Sequence, residues 1–162
     1  MSIDRILDAV RSLDGVLVLA PGEGSGSPEI AWGDFFFYYT PEGQVPANVQ
    51  PYGTIVTKNY PGDTGSDLDG AGRWRVNIHV GRTAFQELTG ASTKHFASHD
   101  FARTDVVMPH PVYGALGWVA VVNPGEQTMN IVVDLLRNAH EDAKTRAARR
   151  ASRMRPKIRM GD

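Results

Sequence analysis

The chain contains no cysteine. That absence excludes disulfides, thiolate metal ligands and a cysteine nucleophile together. No run of eighteen or more apolar residues occurs, so no membrane-spanning helix is expected and no membrane partner. The opening Met1-Ser2-Ile3-Asp4-Arg5 lacks a basic stretch leading into an apolar one. A cytoplasmic chain without a secretory signal is the expectation. Charge of one sign is also lacking overall, since the formal net charge is only -1. Hydrophobic residues reach 41% and charged residues 22%, which places the chain among ordinary globular sequences rather than disordered ones.

The near-neutral total conceals a division. From Arg137 onward nine basic residues face three acidic ones, so the preceding body is acidic. A basic terminal segment attracts polyanions, and it also suits a solvated helix end. The length of 162 residues fits one domain. We read residues 1–150 as that domain and 151–162 as a basic, flexible tail.

Hydrophobic spacing gives the elements. Ile3, Ile6, Leu7, Val10 and Leu13 form one stripe of a first helix capped by Ser2 and closed by Asp14-Gly15. Val16 to Leu19 is a short buried strand. Pro21 to Pro28 is a loop. Glu29 to Trp32 and Phe35 to Thr40 read as a hairpin turning on Gly33-Asp34. Tyr52 to Lys58 is another strand. Arg73 to Val80 alternates cleanly, with Trp74, Val76, Ile78 and Val80 on one face and Arg75, Asn77 and His79 on the other. Thr83 suits the cap of a short helix carrying Phe85 and Leu88 and ending at Gly90. Asp105 to Met108 and Gly117 to Val122 are two further strands. Thr128 opens the longest helix, whose inner face is Ile131, Val132, Leu135, Leu136 and Ala139, and Pro156 stops it. The predicted fold is α+β: two layers, a mainly antiparallel sheet, and the first and last helices on one face.

Several segments carry a resemblance. They are Ile6-Leu7-Asp8-Ala9-Val10, Gly33-Asp34-Phe35-Phe36-Phe37-Tyr38-Tyr39, Arg75-Val76-Asn77-Ile78-His79-Val80-Gly81-Arg82-Thr83-Ala84-Phe85, and His110-Pro111-Val112-Tyr113-Gly114-Ala115-Leu116-Gly117-Trp118, with Leu135-Leu136-Arg137-Asn138-Ala139-His140 near the end. Together they resemble an uncharacterised bacterial family of unknown function. More distantly the order of elements is similar to the MmcQ/YjbR family. That likeness implies a secretion-chaperone-like two-layer fold of α-β-β-β-α-β-β-α order. It also brings the suggestion of DNA binding, but no catalytic motif to transfer.

Candidate chemistry is sparse. His95 and His99 stand four apart near His110, Asp100 and Asp105, but the Glu of a helical zinc motif is missing. Asp63, Asp67, Asp69 and Gly70 fail the spacing of a calcium loop. Gly22-Glu23-Gly24-Ser25-Gly26 lacks the Lys-Ser/Thr ending of a phosphate loop. No nucleophile elbow occurs. The catalytic residues are therefore unknown, and no metal or cofactor is implied. Pro109 to Trp118 packs two prolines, two glycines, a histidine and two aromatics into ten residues, as binding loops do. With Trp32, Tyr38, Lys58, Asn77 and His79, the residues His110, Tyr113 and Trp118 compose a candidate ligand pocket. The alternative is that Tyr113 and Trp118 are core and His110 caps a turn.

Three functions remain open. The first is a binding module that engages a protein partner, or itself as a homodimer, through the sheet's open face bearing Arg75 and Asn77. The second is a small-molecule protein or enzyme using the His110–Trp118 pocket. The third is nucleic-acid binding through Lys144, Arg146, Arg149, Arg150 and Arg153.

Overall fold

The computed structural model of the chain describes residues 2–91 and 100–154. Helix α1 (Ser2–Arg11) leads into strand β1 (Val16–Leu19), followed by β2 (Phe35–Tyr39), β3 (Gly53–Val56) and β4 (Arg75–His79). Helix α2 (Arg82–Thr89), β5 (Met108–Pro109), β6 (Trp118–Val122) and α3 (Met129–Met154) complete the order. The strands form one six-stranded sheet ordered β1-β2-β3-β4-β6-β5, with each neighbouring pair antiparallel. The α+β expectation holds, and the helices share one side. Ile6, Leu7 and Val10 of α1, Phe85 of α2 and Val132, Leu136 and Ala139 of α3 join Phe37, Ile55, Val76, Ile78, Val119 and Val121 in a single core. The contact is close at Gly53, where an added Cβ would lie 2.8 Å from a Leu136 methyl.

Strand register explains the two faces. Side chains alternate along each strand. Phe36, Thr54, Asn77 and Ala120 therefore line up across the sheet on the side away from the helices, as do Val56, Arg75 and Val122. This second face is not open. Leu68 from the β3–β4 connection and Met108 pack on Val56, Ala120 and Val122, with Tyr60 and Phe101 against them.

Several expectations are corrected. Glu29 to Trp32 is not a strand; Glu29–Ala31 makes a single 3-10 turn, and β2 pairs with β1 instead. The segment folds back because the Gly33 N–H bonds the Pro21 carbonyl and the Trp32 indole N–H bonds the Ser27 carbonyl. Asp34 is not a turn tip but fully buried. Helix α2 has Gly81 at its N-cap with no side-chain bond, so Thr83 is not the cap. The short strand is Met108–Pro109, shifted from Asp105–Met108; proline is tolerated there because the strand lies at the sheet edge. Ile131 is 40% exposed, one position off the buried stripe. The stripe instead takes in His140, whose Nε2–H donates to the Asp14 carbonyl at 2.7 Å while Nδ1 accepts from the Tyr52 hydroxyl at 3.0 Å. Helix α3 continues through Met154, and the expected stop at Pro156 lies outside the described residues. No described helix is long and apolar enough to cross a membrane.

Asp105 fastens the start of α3. Its carboxylate accepts from the Gly125 N–H at 2.8 Å, the Gln127 N–H at 3.1 Å, the Thr128 N–H at 3.0 Å and the Thr128 hydroxyl at 2.6 Å. These are donors that a helix start leaves without intrahelical partners. Asp105→Ala should cost about 1–2 kcal/mol, as loss of a helix cap does. Urea denaturation would measure it, and an unchanged midpoint would contradict the role.

Candidate functional site

The covered face holds a polar cluster centred on Arg75, the first residue of β4, which is only 1% exposed. Its guanidinium is engaged on three sides. Nε donates to Asn77 Oδ1 at 2.7 Å, Nη1 to Asp63 Oδ1 at 3.0 Å and Ser66 Oγ at 3.1 Å, and Nη2 to Asp63 Oδ2 at 2.5 Å. Asn77 passes the chain on, its Nδ2 donating to Thr54 Oγ1 at 2.9 Å. Strand register puts Thr54 opposite Asn77, so this bond follows from the pairing.

The loop that brings Asp63 and Ser66 to Arg75 is itself tied down. Asn59 N–H bonds Asp69 at 2.9 Å, and the Leu68 N–H bonds Asn59 Oδ1 at 2.9 Å. Arg73 Nη2 reaches the carbonyls of Ser66 and Ala102 at 2.9 and 2.6 Å. Burial tends to raise the Asp63 carboxyl, but the Arg75 bonds and charge outweigh it and hold Asp63 below its usual range.

His110 approaches from the far side. Its Nε2 lies 3.2 Å from Arg75 Nη2 and 4.0 Å from Asp63 Oδ2. Its Nδ1 accepts the backbone N–H groups of Val112 and Tyr113, each at 3.0 Å. His110 therefore caps this turn, and it also lines a cavity. Burial, then the neighbouring Arg75 charge, push its pKa down to about 3, against the weaker pull of Asp63. His110 is neutral at physiological pH, so its approach to Asp63 is not an ion pair. The close packing of Gly117 on Gly81 secures the far end of this loop. The N–H groups of Val80 and Gly81 both bond the Gly117 carbonyl, and a Cβ at Gly117 would lie 3.0 Å from Gly81 backbone atoms.

Above this polar floor is a cavity of about 380 Å³, with Phe36, Tyr60, Tyr113, Trp118, Pro51 and Pro61 among its walls. Of the residues proposed from sequence, Asn77, His110, Tyr113 and Trp118 converge here. Tyr113 is 49% exposed and so is not core. Trp32 and Lys58 form an adjoining network instead. Lys58 Nζ donates to the Trp32 carbonyl at 2.8 Å and to Asp34 Oδ1 at 2.9 Å. The Thr57 N–H and hydroxyl bond Asp34 at 2.8 and 2.7 Å, and the Tyr60 hydroxyl donates to Asp34 Oδ2. Burial, and then the bond to Asp34, raise the Tyr60 phenol, so it remains a donor. Tyr60 links this network to the cavity wall.

Tyr38 and His79 are not brought in. Tyr38 lies opposite Leu17 of β1, beyond the cavity, and burial raises its phenol. His79 lines a second cavity of about 350 Å³ with Arg146, Arg150 and Trp118. Burial and then the Arg146 charge lower its pKa, against a bond to the Leu116 carbonyl and the Asp142 charge. Lys144, Arg146, Arg149, Arg150 and Arg153 are all exposed along α3. His95 and His99 lie outside the described residues. Among the described residues no group of three or more His, Asp or Glu side chains is placed to hold a metal.

Arg75 and Asn77, expected on an open face, are buried, because the 60–73 loop folds over them. Ser66, Thr54 and Tyr60 are not among the candidates read from sequence, and Asp63 enters there only through the rejected calcium loop. The available signal was an arginine in a central strand directly after an aspartate-rich loop.

A model for a family of unknown function (DUF6194) matches residues 1–152. The chain belongs to that family. Comparison with curated proteins and with solved structures found no match. As a DUF6194 member the chain carries an α+β module whose sequence shows no catalytic signature.

The His110 environment predicts a pH response. Its folded pKa lies below the ordinary 6.5, so between about pH 6.5 and 3 the unfolded chain binds a proton that the folded chain refuses. Stability is thus fully present above pH 6.5 and declines as pH falls toward 3. Asp63, also depressed, adds its loss only below the ordinary carboxylate range. Lowering pH from 7 to 4.5 should remove about 2 kcal/mol through His110. In His110→Asn the amide oxygen can still accept the turn N–H groups. Most of that slope should then vanish from urea midpoints measured at the two pH values. An equal slope in both proteins would refute the assignment.

Proposed function

We propose that this protein is a small-molecule binding module, and that the Arg75 cavity is its ligand site. One observation carries this reading: a buried arginine, held by four of its N–H groups, forms the floor of an aromatic-walled cavity of about 380 Å³. That volume falls within the usual span for small-ligand sites, and aromatic walls with a few fixed polar groups are their usual lining. The floor suits recognition more than reaction, because Arg75 and Asp63 occupy one another and His110 is held neutral. The reading involves no cofactor and takes the chain to be cytoplasmic.

A thermal-shift screen of small neutral and anionic compounds tests it, since ligands of the native state raise the melting temperature. Val112 is 42% exposed at the cavity rim, so Val112→Trp obstructs the entrance without disturbing the core. Hits should stabilise the parent protein and lose most of that effect in Val112→Trp. Hits that stabilise both equally would refute the site.

A second reading has its own support. Val112, Tyr113 and Leu116 are 42%, 49% and 67% exposed on one loop, an apolar group suited to a protein partner or a second copy. Light scattering after size exclusion tests the homodimer version, and a monomer at high concentration would remove it. The exposed basic residues of α3 leave nucleic-acid binding as the third alternative. Its mark would be affinity that falls steeply with salt.

A further inference from the structure

Hydrogen-bond accounting at the cavity floor leaves one contact that cannot be what its distance suggests. A guanidinium has five N–H groups. Four go to Asn77, Asp63 twice and Ser66. The fifth, on Nη2, points at His110 Nε2 at 3.2 Å. That contact is a hydrogen bond only if Nε2 is an acceptor. But the lone pair of Nδ1 already receives the N–H groups of Val112 and Tyr113. A neutral imidazole bears one proton, and Nδ1 cannot carry it while accepting two backbone donors. The proton therefore sits on Nε2, and an N–H of histidine meets an N–H of arginine. Asp63 Oδ2 is 4.0 Å from Nε2, beyond hydrogen-bond reach.

Two donors converging at the floor of a cavity call for an acceptor atom from outside the chain. Charge decides what kind. Asp63 already matches the Arg75 charge across two bonds. A ligand carboxylate bonded to Nε2 would lie close to the Asp63 carboxylate, and two such groups repel. An uncharged oxygen does not meet that penalty. Shape follows from the walls: the Tyr113 ring lies 4.9 Å from that of His110, and Trp118 stands edge-on at 6.5 Å and 71°. We propose that the cavity takes a flat, uncharged molecule whose carbonyl oxygen accepts from both His110 Nε2–H and Arg75 Nη2–H, as an aryl amide or a ring lactam would. This rests on the cavity being a ligand site.

The test has two parts. Long-range proton–nitrogen correlation spectra at pH 7 report the imidazole tautomer directly, and His110 should carry its proton on Nε2. Then benzamide, benzoate and toluene, three probes of similar size, are titrated against the full-length protein while the His110 and Trp118 signals are followed. Benzamide should bind about tenfold more tightly than either of the others, the difference worth one good hydrogen bond. A proton on Nδ1, or toluene or benzoate binding as well as benzamide, would overturn the acceptor assignment while leaving the cavity as a ligand site. If none of the three moves the His110 or Trp118 signals, the ligand-site reading fails with it.

Discussion

Arg75→Leu should lower stability by about 3 kcal/mol, because it strips a buried carboxylate of its partner rather than removing a pair. Asp63 would keep its place with only 13% of its side chain exposed, and Ser66 and Asn77 would each lose a donor. For a chain of this size that corresponds to a melting temperature lower by roughly 6–12 °C. The double variant Arg75→Leu with Asp63→Leu should recover a large part of the loss, since neither charge is then left alone. Differential scanning calorimetry on the three proteins gives the coupling. A double variant no more stable than Arg75→Leu would mean the arginine acts through packing and not through its ion pair.

The second large effect belongs to Asp34. It is fully buried and collects four donors from one short stretch: the Thr57 N–H, the Thr57 hydroxyl, the Lys58 ammonium and the Tyr60 hydroxyl. Asp34→Ala removes the acceptor of all four at once, and buried donors without partners cost about 1–3 kcal/mol each when water cannot reach them. Lys58 is 29% exposed in its side chain and can turn to solvent, so we expect a total of about 3 kcal/mol rather than the full sum. Asp34→Asn should cost about 1 kcal/mol, because its carbonyl still serves Thr57. Equal losses for the two substitutions in urea denaturation would contradict this account. Because Tyr60 also lines the cavity, Asp34→Ala should weaken any cavity ligand as well.

The sequence shows the layers better than the site, and the reason is physical. Alternation along Arg73 to Val80 and the helical stripe of Ile6, Leu7 and Val10 report which side is apolar, so the helix-bearing face was legible. What covers the opposite face is decided by a loop with no periodicity. Nothing local in Asp63 or Ser66 says that they fold over Arg75, and a strand arginine reads as exposed until something covers it. Asp34 misled in the same way. Gly-Asp is good turn chemistry, yet its carboxylate is claimed by Thr57, Lys58 and Tyr60, more than twenty residues on. The segment from Pro109 to Trp118 stood out because its composition departs from core packing, and four of its residues line the cavity. His79 was not separable from Asn77 by alternation, since both point the same way from one strand. They nevertheless line different cavities, which share Gln50, Pro51 and Trp118 as walls.

His140 joins parts of the chain that lie far apart in sequence. Its ring bridges the Asp14 carbonyl and the Tyr52 hydroxyl, and α1 packs directly on α3. Without α3, the apolar stripe of α1 has only part of its cover, the sheet residues of the same core. The stripe of Ile6, Leu7 and Val10 is thus fully covered only once α3 has docked, a contact so distant in sequence that a large loop must close before it forms, and until then the stripe is exposed apolar surface.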